Sequence, residues 1–198
     1  MARTLEFYFD YGSPYSYLAD TQVEAIAKRT GATLARKPML LGGVFKSTGN
    51  SSPAEQPQKS KWSAFDMPMW AHHYGVPFQR NPFFPINTLA LMRGATAAQI
   101  DGVFETYHPA IFKAMWVDGR NLNDLKEVVA VLTAAGLDAQ KIGQRIQDQD
   151  VKDRLKTVTD EAVARGVFGA PTSFVDSMMF FGNDRLPFVE MALKGELK

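Results

Sequence analysis

The 198-residue chain has no cysteine. That excludes disulfides, thiolate metal sites and a thiol nucleophile of the protein's own, so any sulfur chemistry must arrive on a bound molecule. Histidine is scarce, with three residues. His72 and His73 are adjacent and point to different sides of a helix, and His108 precedes a proline. No pair has metal-ligand spacing, and no metal is expected. Apolar runs long enough to span a bilayer are missing. An excess of one charge is missing too: the net charge of +1 gives no reason to expect nucleic acid or an acidic membrane surface as partner. Met1-Ala2-Arg3-Thr4 leads straight into a strand pattern without room for a signal peptide, so a cytoplasmic protein is the expectation. Gly42-Gly43 lacks the Gly-Lys-Ser of a phosphate loop, and no Gly-x-Ser-x-Gly elbow marks an acyl-transfer serine.

What is present begins with alternation. Leu5, Phe7 and Phe9 alternate with Glu6, Tyr8 and Asp10, which predicts a strand over about 4–10. A helix follows from Pro14 to Thr30, with Ser13 as N-cap, Pro14 in the first turn and Gly31 as the stop. Its apolar stripe is Leu18, Val23, Ile26 and Ala27. A second strand over 33–38 makes a right-handed βαβ unit. Lys46–Gln58 reads as a loop. Helical spacing then marks about 60–74, 87–99, 100–114, 121–135 and 138–165, the last one broken. Pro68 is expected to kink or interrupt the first of these. Asn121 or Asn123 is expected to cap the fourth, and Gly136 to stop it. Pro77–Pro85 reads as an extended connection. Strand patterns return at 172–175 and 178–181 around an Asp176-Ser177 turn, and Asn183 or Asp184 is expected to cap a last helix. The result is one α/β domain, with a helical insertion at about 41–165 between a βαβ start and a ββα finish.

Three segments would meet at one end of such a sheet: Ser13 at a helix start, Gly169-Ala170-Pro171-Thr172 at a strand mouth, and Gly182-Asn183-Asp184-Arg185. Each alone is an ordinary cap or turn. Together, Gly12-Ser13-Pro14-Tyr15-Ser16-Tyr17-Leu18, Val167-Phe168-Gly169-Ala170-Pro171-Thr172 and Phe181-Gly182-Asn183-Asp184-Arg185-Leu186 resemble the signatures of the 2-hydroxychromene-2-carboxylate isomerase family. That family belongs with DsbA-like thioredoxin-fold proteins and kappa-class glutathione transferases. Gly43-Val44-Phe45-Lys46, Thr48-Gly49-Asn50 and Trp116-Val117-Asp118-Gly119-Arg120 extend the resemblance over almost the whole chain.

The resemblance implies a thioredoxin-like part at 1–40 and 166–198. It implies glutathione as cofactor, a small aromatic carboxylate as substrate, and a homodimer. Ser13 would hydrogen-bond the cofactor's sulfur, and Ser16 would be a third-position helix residue rather than a second catalytic group. Thioredoxin-fold relatives carry a Cys-x-x-Cys pair over 13–16; two hydroxyls here exclude disulfide exchange. Pro171 would be cis and free Ala170 to pair with the cofactor's peptide, while Asn183 and Asp184 would meet its γ-glutamyl end. Asn50 would contact the cofactor. Lys59 sits at the family's spacing before Trp62 and Asp66, with Lys61 as its rival. Met67-Pro68-Met69 departs from the family's pattern, and Phe65, Met67, Met69 and Trp70 are read as core or interface rather than substrate pocket. The reaction implied is interconversion of 2-hydroxychromene-2-carboxylate and trans-o-hydroxybenzylidenepyruvate. The alternatives are a kappa-like transferase or peroxidase, and a non-enzymatic thioredoxin-fold binding module. The physical case for Ser13 stands by itself. A thiol with a pKa near 8.5 becomes mostly thiolate at neutral pH if about 2.7 kcal/mol of differential stabilisation lowers it by about two units. A charge-assisted hydrogen bond and a helix N-terminus together reach that size.

Overall fold

The computed structural model describes residues 2–197. Strand β1 (Thr4–Phe9) leads through a tight turn to helix α1 (Pro14–Thr30), and β2 (Thr33–Pro38) returns parallel to β1. Strands β3 (Thr172–Val175) and β4 (Met178–Phe181) come from the far end of the chain and complete a sheet ordered β2-β1-β3-β4. β3 runs antiparallel to both neighbours. The α/β fold with a helical block between its two sheet halves is therefore as the sequence indicates.

The sheet is covered on both faces. Leu5, Phe7 and Phe9 enter the main core with Leu18, Val23 and Ile26 of α1. Tyr8 and Phe174 point the other way, into a smaller cluster with Met39, Val44 and Ala162. The second set of alternating positions on β1 is thus no solvent face: Tyr8 and Asp10 are each 1% exposed. Helix α1 starts and stops as expected. Ser13 accepts a hydrogen bond from the Ser16 N–H at 3.1 Å, and Gly31 ends the helix at φ 69°.

The block between β2 and β3 holds α2 (Leu41–Thr48), a 3-10 turn at Pro53–Glu55, α3 (Pro57–Tyr74), α4 (Leu89–Ile100), α5 (Phe104–Trp116), α6 (Leu125–Ala134), α7 (Ala139–Arg145) and α8 (Gln149–Ala164). Four expectations are corrected here. The loop read at 46–58 begins with the end of a helix and closes with the start of another. Helix α2 was hidden because Gly42-Gly43 lowers local propensity, but Gly43 lets it approach α8: a Cβ there would sit 3.3 Å from the Thr159 methyl. Pro68 does not break α3. It lies on the exposed side, where water can satisfy the carbonyl it strands. Asp124, and neither Asn121 nor Asn123, caps α6 by accepting from the Lys126 N–H at 2.9 Å. Finally, neither Asn183 nor Asp184 caps α9 (Leu186–Lys194) through its side chain; a 3-10 turn over Asn183–Arg185 leads into that helix instead. Among the described residues no helix is long and apolar enough to cross a membrane.

Candidate functional site

The turn from β1 into α1 is built by a buried carboxylate. Asp10 Oδ1 accepts from the Gly12 N–H at 2.8 Å, and Oδ2 accepts from the Leu41 N–H at 2.8 Å. Its backbone carbonyl takes the Ser13 N–H at 3.0 Å. Burial pushes the Asp10 carboxyl up, against the pull of those amides and of the Thr88 hydroxyl. The Trp116 indole N–H donates to the Tyr11 carbonyl at 2.7 Å and closes the turn from the other side.

This turn delivers Ser13 to the head of α1. The helix carries no acidic residue of its own in its first turn. Pro14 has no N–H, and Ser16 and Tyr17 donate theirs to Ser13. The Tyr15 N–H therefore stays free among the described residues, beside the Ser13 hydroxyl. That hydroxyl donates to the Ala170 carbonyl at 3.0 Å. The Ala170–Pro171 peptide is cis, as the family resemblance implied, and the Ala170 N–H makes no hydrogen bond within the described residues. Ser13 and Ala170 thus form one wall of an open cleft of about 760 Å³, including its mouth.

The other walls are mostly apolar. Leu41 and Phe45 of α2, Met67 of α3, Phe84, Trp116 and Phe181 all line it. Ser60, Ser63 and Met67 form the cleft-facing stripe of α3. Met67 is both buried and part of that lining, whereas Phe65 and Met69 are exposed on the side of α3 away from it. Phe84 and Arg80 had no signal in the sequence, since they come from a segment read as a connection, and Phe45 was visible in a motif without a role. The Trp116 motif was visible without a role.

Asn50 lines the cleft mouth, and its Nδ2 donates to the Phe168 carbonyl at 2.8 Å, tying the segment after α2 to the approach of β3. Lys59 and Lys61 are both exposed and neither lines the cleft. At roughly 100° per residue Lys59 flanks the Ser60–Ser63 stripe, while Lys61 falls on the far side. Asn183 is 3% exposed and its Nδ2 points to the Tyr74 hydroxyl at 3.4 Å. Asp184 is exposed and pairs with Arg185 at 2.7 Å. Asp66 comes close to the helix start as well: the Tyr15 hydroxyl donates to its Oδ2 at 2.8 Å. Burial, then Asp66, then Asp184 push the Tyr15 phenol well up, so it remains a donor. The Ser16 hydroxyl is fully buried without a partner, away from the cleft lining.

His108 has found a different task. Its Nδ1 lies 3.1 Å from the Tyr11 hydroxyl and its Nε2 2.9 Å from Asp20 Oδ1, in the core beneath the turn.

Comparison with known proteins agrees with this fold. The DSBA-like thioredoxin domain family matches residues 4–194. The chain is 33% identical to a 2-hydroxychromene-2-carboxylate isomerase of Sphingobium xenophagum, over 98% of this chain and 99% of that one. It is 27% identical to human glutathione S-transferase kappa 1, over 94% and 88% of the two chains. A solved structure of a 2-hydroxychromene-2-carboxylate isomerase superposes with a TM-score of 0.86 at 29% identity, over 98% of this chain and 95% of that one.

Proposed function

The chain belongs to the DSBA-like thioredoxin family, alongside the 2-hydroxychromene-2-carboxylate isomerases, and from that premise we propose that it is a glutathione-dependent isomerase. Its reaction would interconvert 2-hydroxychromene-2-carboxylate and trans-o-hydroxybenzylidenepyruvate. The observation that carries the reading is the Ser13 hydroxyl beside the free Tyr15 N–H, at a helix head that opens on an apolar cleft.

The residues present fit glutathione. The tripeptide needs an anion seat for its sulfur, a backbone partner and charged groups for its ends. The head of α1 offers the first and the unpaired Ala170 N–H offers the second. Asp66 and Asp184 flank Tyr15, where an ammonium would be met by carboxylates, and Asn50 stands at the cleft mouth. When bound, glutathione supplies a thiolate that adds reversibly to the conjugated double bond, so that the bond can rotate before the thiolate leaves.

The chain's own part is electrostatic. Ser13 turns its proton from the Ala170 carbonyl to the sulfur and, with the Tyr15 N–H and the helix dipole, favours the ionised form. Ser13 keeps its proton throughout. Phe45, Phe84 and Trp116 hold an aromatic ring and exclude water, which strengthens those interactions. Lys59, flanking the cleft stripe, is kept as a cofactor contact in preference to Lys61. The proposal includes the homodimer and a cytoplasmic setting, where glutathione is kept reduced.

A spectroscopic assay with and without glutathione tests the reading: turnover requires the thiol, and full turnover without it overturns the mechanism. The likeness to human kappa 1 supports a second reading, transfer of glutathione to an electrophile from the same seat. Stoichiometric conjugate with no return of free glutathione favours transfer. A calorimetric titration without glutathione binding points instead to a binding module.

A further inference from the structure

Arg80 is the one charged residue among those lining the cleft. Its Nη2 approaches a neutral partner, Ser60 Oγ, at 3.3 Å. Among the described residues no carboxylate lies within ion-pair distance of it, whereas ten of the sixteen ion pairs found there are made by an arginine.

The backbone that presents Arg80 is held on both sides. The Gln79 N–H donates to the Trp116 carbonyl at 2.7 Å. Asn81 is 2% exposed, and its Nδ2 donates to the carbonyls of Met115 at 2.9 Å and Arg120 at 2.8 Å, while its Oδ1 accepts from the Phe83 N–H at 2.8 Å. A cation on a fixed segment, facing apolar walls and short of a counter-charge, is a seat for an anion. Guanidinium matches a carboxylate with two parallel N–H donors, and the apolar surroundings strengthen the pair once a ligand displaces water.

We infer that Arg80 reads the carboxylate of the acceptor molecule and sets the cleft's preference for unsaturated aromatic acids over their neutral counterparts. This rests on the glutathione reading for the placement of the thiol, though recognition of the acid itself does not need the thiol. The glycyl carboxylate of glutathione presents the same chemistry, so the test separates the two sources.

Binding of benzylidenepyruvate and of its methyl ester is measured by calorimetry without glutathione, on the wild type and on Arg80→Gln and Arg80→Lys. Glutathione binding is titrated separately on each protein. The wild type should prefer the acid by roughly tenfold to a hundredfold, the size of one charge-assisted pair. Arg80→Gln should abolish that preference, Arg80→Lys should keep part of it, and glutathione affinity should not move. An acid-to-ester preference that survives in Arg80→Gln, or is absent from the wild type, overturns the inference. So does a loss of glutathione affinity with the preference intact, which assigns Arg80 to the glycyl end. If the wild type binds no glutathione, the functional reading fails while the acid-to-ester comparison still decides the role of Arg80. Arg80 is exposed, so circular dichroism of both variants should match the wild type.

Discussion

Ser13 donates its hydroxyl hydrogen to the carbonyl of Ala170, 157 residues further along the chain and 3.0 Å away. The contact joins the head of α1 to the residue before Pro171, so the two sheet halves share one polar seam at the cleft. It also gives the Ser13 proton a resting partner, from which it can turn to an incoming anion.

Ser13→Ala removes that donor. The pKa of bound glutathione, followed by thiolate absorbance against pH, should rise by about one unit, as one charge-assisted hydrogen bond is worth. Turnover should fall at least tenfold near neutral pH and recover partly in alkali. The lost N-cap lowers stability by about 1 kcal/mol, which a denaturant titration measures separately. An unchanged thiol pKa sinks the role given to Ser13.

Asp10 acts one step behind Ser13. Replacing it by alanine leaves the half-buried N–H groups of Gly12 and Leu41 without acceptors. Stability should fall by about 2–4 kcal/mol, seen as a melting midpoint lower by roughly 5–15 °C. The thiol pKa should rise as well, because the turn that aims Ser13 is loosened. A variant that melts like the wild type denies Asp10 this positioning role.

How much of this was legible follows from where each part of the site is encoded. Ser13, Pro14 and Gly31 carry local signals, and α1 has the ends they imply. Helix α2 was not legible, because Gly42-Gly43 reads as a break until α8 is present to pack against. Pro77–Pro85 looked like a bare connection, yet Asn81 clamps it with long-range hydrogen bonds that no spacing reveals. Asn183 carried the family pattern, and only the fold shows its side chain turned to Tyr74. Residues fixed by their own neighbours in sequence could be read, and walls assembled from distant segments could not.

Acid should weaken the contact between α1 and α9 in a defined window. Arg29 donates to both carboxylate oxygens of Glu190, with Lys194 beside them. Hydrogen bonds from Arg29, then Lys194, pull the Glu190 carboxyl down from 4.5 to about 2. A depressed folded pKa adds stability above the unfolded value, and that part is lost as pH falls from about 4.5 towards about 2. Arg29 is half exposed, so screening limits the effect to about 1 kcal/mol or less. Glu190→Gln should be less stable than the wild type near neutral pH and equal to it at the acid end. Denaturant midpoints across that range check the sign, and a gap that widens in acid refutes it.

Asn81 offers a test of whether the segment carrying Arg80 needs to be rigid. Asn81→Ala leaves the carbonyls of Met115 and Arg120 and the N–H of Phe83 without their partner. The site is buried, so stability should fall by about 1–3 kcal/mol. Neither Ser13 nor Ala170 touches this segment, so glutathione affinity should hold. Arg80 would keep its charge but lose its fixed approach, and the acid-to-ester preference should shrink several-fold without vanishing. Asn81→Asp sharpens the comparison: it keeps an acceptor for Phe83 but sets a carboxylate against two carbonyls, and it should destabilise more than alanine does. If the preference survives Asn81→Ala undiminished while stability drops, the clamp serves the fold alone and Arg80 finds the anion without it.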